Sequence, residues 1–82
     1  MKIRCDIVWF KESRSYAFEK NRDILFFYGT FAETLRHARK HIAVYVARGH
    51  TVNLYLHRKD GKLRKDGERT YPRRADPRRS KG

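Results

Sequence analysis

The chain has 82 residues, with 21 Lys and Arg against nine Asp and Glu, a formal net charge of +12. That length makes one domain with one small core and leaves little room for a deep substrate cleft. A single Cys excludes an intramolecular disulfide, and no apolar run approaches a membrane span.

From the N-terminus, Ile3, Cys5, Ile7 and Trp9 alternate with Lys2, Arg4 and Asp6. A period of two predicts a strand with one buried face. Cys5 on that face reads as a small buried hydrophobe, not a nucleophile. Lys11-Glu12-Ser13-Arg14 is a polar connection, and Tyr16 and Phe18 alternating with Ala17 and Glu19 predict a second strand. Turn chemistry at residues 20–23 leads into Ile24-Leu25-Phe26-Phe27-Tyr28. This continuous apolar run reads as a third strand buried on both sides.

Thr30-Phe31-Ala32-Glu33 is a capping box, with the Thr30 hydroxyl accepting from the Glu33 amide. The helix it starts places Phe31, Leu35, Ala38, Ile42 and Tyr45 or Val46 on one stripe, runs to about Arg48, and ends at Gly49. Val52, Leu54 and Leu56 then alternate with Thr51, Asn53, Tyr55 and His57, a strand with one buried face. Asp60-Gly61 is a type I′ hairpin signal. The returning strand, Lys62 to about Arg69, has one large apolar side chain, Leu63, and reads as a solvated edge that a second Asp-Gly at 66–67 cuts short. After Tyr71-Pro72 apolar content nearly vanishes, so residues 73–82 are expected as a basic tail on a 1–72 domain. The fold class expected is α+β: a small antiparallel sheet, ordered strand-strand-strand-helix-strand-strand, with the helix on one face.

Enzyme chemistry finds no support in the residues. There is no Gly-rich phosphate loop, nucleophile elbow or paired carboxylate in an apolar setting. Glu33, His37 and His41 recur every four residues on the helix, but Arg39 and Lys40 beside them oppose a cation, so neither metal nor other cofactor is expected. The positive charge is better organised. Residues 1–56 hold ten Lys/Arg against five acids, and residues 57–82 hold eleven against four, so the folded part is basic in its own right. Such a field attracts polyanions and releases their counterions.

The expected binding surface joins Arg36, Arg39 and Lys40 on the helix with Arg58, Lys59, Lys62, Arg64, Lys65 and Arg69 of the last hairpin. Arg73, Arg74, Arg78 and Arg79 of the tail extend it. Tyr55 is positioned to stack a base on an open sheet face. No zinc-finger, ribonucleoprotein or GxxG pattern is present, so the contacts expected are to phosphates and not to base edges. The partner is therefore nucleic acid, DNA or RNA. The alternative is an acidic protein met by a phage or bacterial inhibitor or adaptor, anchored by aromatic side chains and Arg. The apolar edge at residues 24–28 offers a homodimer contact under either reading. With no signal peptide after Lys2 and Arg4, a cytoplasmic location is the expectation.

Ala38-Arg39, Gly49, the strand Val52–His57, Asp60-Gly61-Lys62-Leu63, Thr70-Tyr71-Pro72, Asp76-Pro77 and Lys81-Gly82 follow one another in an order that resembles a family of small bacterial and phage proteins classed as a domain of unknown function. The resemblance covers roughly residues 30–82. It implies a small prokaryotic or phage domain, with no catalytic residues and no assigned activity, and a terminal DP…KG segment docked on the body.

Overall fold

A computed structural model describes residues 1–72 of the chain. Five strands and one helix follow in the order β1 (Lys2–Phe10), β2 (Ser15–Lys20), β3 (Asp23–Tyr28), α1 (Phe31–Ala47), β4 (Thr51–His57) and β5 (Leu63–Tyr71). They form one sheet of spatial order β3-β2-β1-β4-β5. The α+β class with a helix on one face is as expected. The sheet, however, is mixed: β1 and β4 pair in parallel, with Ile3 opposite Val52 and Ile7 opposite Leu56. The remaining pairs are antiparallel. The direction follows from the connection. β3 runs the same way as β1, and α1 carries the chain back along the sheet, so β4 starts at the end where β1 starts. A helix of 17 residues spans about 26 Å, close to the length of β1, so one crossover suffices.

The period of two in β1 and β4 decides the core. Ile3, Cys5, Ile7, Val52, Leu54 and Leu56 point to the helix side and are buried, with Tyr16 and Phe18 of β2 and Ala38 and Ile42 of α1 closing the layer. The helix packs chiefly over β2, β4 and β3. Thr30 caps it as anticipated, its hydroxyl oxygen accepting from the Glu33 N–H at 3.1 Å. The Glu33 carboxylate meets the Thr30 hydroxyl at 3.4 Å instead of reaching back to the Thr30 amide. Gly49, at φ 92°, follows the helix end in the left-handed region.

Three local expectations change. β3 is not buried on both sides but is a sheet edge, with Ile24, Leu25 and Phe27 each over 40% exposed. A continuous apolar run marks burial only where a second layer reaches it, and α1 covers only the face carrying Phe26 and Tyr28. The hairpin at Asp60-Gly61 is not type I′. Gly61, at φ 86°, is the one residue of the loop in the left-handed region, its N–H donating to the Arg58 carbonyl, while the Arg58 N–H donates to the Lys62 carbonyl. That is a longer loop ending in a left-handed glycine. The turn with two left-handed residues is instead Asn21-Arg22, at φ 50° and 71°, between the paired Lys20 and Asp23. Finally, Asp66-Gly67 does not end β5. The strand absorbs it as an irregularity, with Asp66 at φ 56° and the register slipping opposite Tyr55 and His57.

Candidate nucleic-acid interface

Because β1 and β4 are parallel and β3 runs with them, the 11–14 loop, the 58–62 loop and the start of α1 all lie at one end of the sheet. On the helix side of that end three rings form a row. Trp9 meets Tyr16 edge-on at 4.9 Å, and Tyr16 meets Phe31 edge-on at 5.5 Å. Two cations lie on this row. The Lys59 ammonium sits 4.4 Å from the Trp9 ring centre and the Arg64 guanidinium 3.9 Å from that of Phe31. A ring quadrupole holds a cation in place without neutralising it.

From Arg64 the positive charge continues along the seam between α1 and β5. Arg69 pairs with Leu54, whose side chain is in the core, so Arg69 lies on the helix face of β5. Arg39 stands at the margin of the helix stripe. It lines an apolar groove of about 280 Å³ with Ile42, Ala43, Val46, Tyr71 and Pro72. Arg36 is one helical turn before Arg39, and Lys40 is further round, both exposed. Among the described residues the ion pairs are Arg4–Asp6, His57–Asp6 and Arg58–Asp60. Arg36, Arg39, Lys40, Lys59, Lys62, Arg64, Lys65 and Arg69 have no described carboxylate within 4.0 Å.

The residues anticipated for the interface are thus only partly gathered. Lys59, Arg64, Arg69, Arg39 and Arg36 follow the seam. Arg58 turns to Asp60 at 3.1 Å, and Lys62 and Lys65 stand exposed beside the loop and on β5. Arg73, Arg74, Arg78 and Arg79 lie outside the described residues. Tyr55 is on the opposite face, as its phase predicts, but its ring carries the Arg4 guanidinium at 4.6 Å. His37 and His41 pack toward β3: His37 stacks on Tyr28 at 4.2 Å and His41 tilts over Phe26 at 5.2 Å.

The face away from the helix has a different chemistry. Asp6 is 5% exposed there. It accepts from the Arg4 Nε at 3.0 Å, from Arg4 Nη2 at 3.2 Å, and is bonded to the His57 Nε2 at 2.9 Å. Burial alone pushes the Asp6 carboxyl up, but the hydrogen bonds and charges of Arg4 and His57 outweigh it and hold the group below the usual carboxylate range. The same bond and charge raise the Arg4 guanidinium. Glu19, opposite Asp6 on β2, is pushed up by burial first and by the Asp6 charge second. Sequence reasoning missed this network, because 51 positions separate Asp6 from His57. The available signal was only that both occupy the outward phase of their strands.

Comparison with protein-family models, with curated proteins and with solved structures finds no match for this chain. No helix among the described residues is long and apolar enough to cross a membrane.

Proposed function

We propose that this protein binds nucleic acid through its phosphates, along the seam between α1 and β5 and the adjoining end of the sheet. The observation that carries this reading is the row formed by Lys59, Arg64, Arg69, Arg39 and Arg36, none paired with a carboxylate among the described residues and two of them held over aromatic rings. Held cations lose less freedom when a phosphate arrives, so more of each contact appears as affinity. The open face supports the same assignment by contrast. Its arginine is answered by Asp6, and Glu19 and Glu68 stand opposite Asp6 and Tyr55 on the neighbouring strands. A polyanion therefore favours the helix side.

The rings of the row pack edge to face, and two of the three, Trp9 and Phe31, lie beneath cations, an arrangement for presenting charge and not for stacking splayed bases. Contacts of this kind position a backbone and read little sequence.

The test is fluorescence anisotropy with a mixed-sequence duplex and a mixed-sequence single strand. Six phosphate contacts on a duplex predict a salt slope of about −5, a loss of about three decades of affinity between 50 and 200 mM salt. Affinity should vary little among sequences. No binding to either probe at 50 mM salt ends the proposal. Retention of a stoichiometric acidic protein after nuclease digestion, without binding to either probe, would select the inhibitor or adaptor reading instead.

A further inference from the structure

We propose that the nucleic acid held along the α1–β5 seam is a double strand, an inference that rests on the phosphate-binding reading and names its substrate. Proteins that hold a single strand without reading its sequence combine a positive groove with rings on which successive bases stack. The seam has the charge without the open rings. Trp9 lies under the Lys59 ammonium at 4.4 Å and meets Tyr16 edge-on at 4.9 Å. Tyr16 itself is buried. Phe31 lies under the Arg64 guanidinium at 3.9 Å. Tyr71 packs against the core and lines the groove beside Arg39 and Pro72. Further round the helix side, Tyr45 carries the Lys20 ammonium at 4.6 Å and Tyr28 stacks on His37 at 4.2 Å. Phe10 and Phe27 meet each other on the opposite face, away from a strand that follows the seam. A base entering the seam would have to displace a held cation or a core contact before it could stack.

Charge alone favours the duplex. Arg64 and Arg69 stand on the same strand, β5, separated by at most about 16 Å of backbone. A duplex carries a negative charge about every 1.7 Å of its axis, so about nine lie beside that length, and one of its strands alone lays down about half as many. Arg36 and Arg39, one helical turn apart on α1, add cations beside the β5 pair, and no described carboxylate lies within 4.0 Å of any of them. The denser polyanion condenses more counterions, so each contact releases about 0.9 of an ion from a duplex against about 0.7 from a single strand. For six contacts the two salt slopes differ by about 1.2. With equal affinity at 1 M salt, where release contributes nothing, that difference gives the duplex an advantage of about 30-fold at 50 mM and about sevenfold at 200 mM.

The experiment is fluorescence anisotropy of the full chain, freed of co-purifying nucleic acid, with a hairpin-free single strand and with the same strand annealed to its complement. The duplex should bind more tightly throughout, and its advantage should shrink about fivefold between about 50 and 200 mM salt. Tyr71→Leu keeps an apolar side chain in the groove but removes a ring, and should leave both affinities within about twofold of the parent. Trp9, the one tryptophan of the chain, reports on the row directly, and its emission should change equally with the two probes. A single strand that binds as tightly as the duplex at about 50 mM salt, or a duplex advantage that does not shrink with salt, would overturn the proposal. So would a loss of about fivefold or more in Tyr71→Leu for the single strand alone, or stronger quenching of Trp9 by it, since either places a base on a ring. Each of these results leaves the phosphate-binding reading standing. Absence of binding to both probes removes that reading, and this inference with it.

Discussion

Arg4 and Arg64 both lie over an aromatic ring, one on each face of the sheet, yet they are electrostatically unlike. Arg4 rests on Tyr55 at 4.6 Å and is answered by Asp6 at 3.0 Å. Arg64 rests on Phe31 at 3.9 Å, with no described carboxylate within 4.0 Å. The ring orients each guanidinium, but only a carboxylate removes its charge from the far field. The open face therefore holds its arginine in an ion pair, whereas on the helix side no described carboxylate answers Arg64. Counting cations along the chain cannot make this distinction, because it depends on which acid folds beside which base.

The contrast can be tested at several depths. The largest effect is expected in the shared core. Phe18→Ala, fully buried against Phe26 and the helix, should cost about 3–5 kcal/mol in urea unfolding, whereas Val8→Ala on the open face should cost about 1. Equal costs would mean that the open face is as closely packed as the helix side.

Next comes binding. Reversing Arg64 and Arg69 to Glu together should weaken duplex binding by about 10- to 100-fold and flatten the salt slope by about 2, while Arg4→Gln should stay within about twofold of the parent. A loss in Arg4→Gln as large as in the double reversal would erase the distinction between the faces.

A third change probes how β5 delivers Arg64 to the helix side. A Cβ at Gly67 would lie 2.7 Å from the carbonyl oxygens of both Arg64 and Leu56, backbone atoms that cannot swing away. Gly67→Ala should cost about 1–3 kcal/mol by thermal unfolding and should also weaken binding, since the irregularity it disturbs sets the face on which Arg64 emerges. Destabilisation with full binding would show that Arg64 does not depend on it.

The smallest effect concerns pH. Asp6 has a lowered carboxyl pKa in the folded state, so its contribution is present above the unfolded-chain value near 4 and is lost as pH falls through the lower folded value. Stability should therefore drop in acid below about pH 4, and Asp6→Asn should remove that part of the drop while costing about 1–2 kcal/mol at pH 7. Glu19 has the opposite sign. Its raised pKa favours the protonated folded form, so its ionisation works against the fold at neutral pH, and Glu19→Gln should be slightly stabilising there. An acid limb unchanged in Asp6→Asn would exclude the network as its cause.

Much of this architecture was legible along the chain. The phases of Ile3-Cys5-Ile7 and Val52-Leu54-Leu56, the Thr30 cap and the 31–47 stripe predict a helix over one sheet face, and each depends on side chains within a few residues of one another. The net charge predicts the electrostatic character of the surface in the same local way. Run 24–28 was misread because hydrophobicity records what a strand can bury, while its position at the sheet edge records what was available to bury it. The direction of β4 was misread because strand alternation has no sense of up or down. The candidate site was half legible. Phase placed Tyr55 outward, but nothing nearby in sequence announced that Arg4 covers it or that Lys59 meets Trp9 across 50 positions.

What the amino-acid order settled unaided is therefore the set of elements, the core faces of β1, α1 and β4 and the sign of the surface, since each follows from short-range periodicity or simple summation. What needed three dimensions is the parallel join of β1 to β4, the exposure of β3, and which arginines among the described residues meet a carboxylate, because each depends on which distant side chains come within a few ångströms once the sheet is assembled.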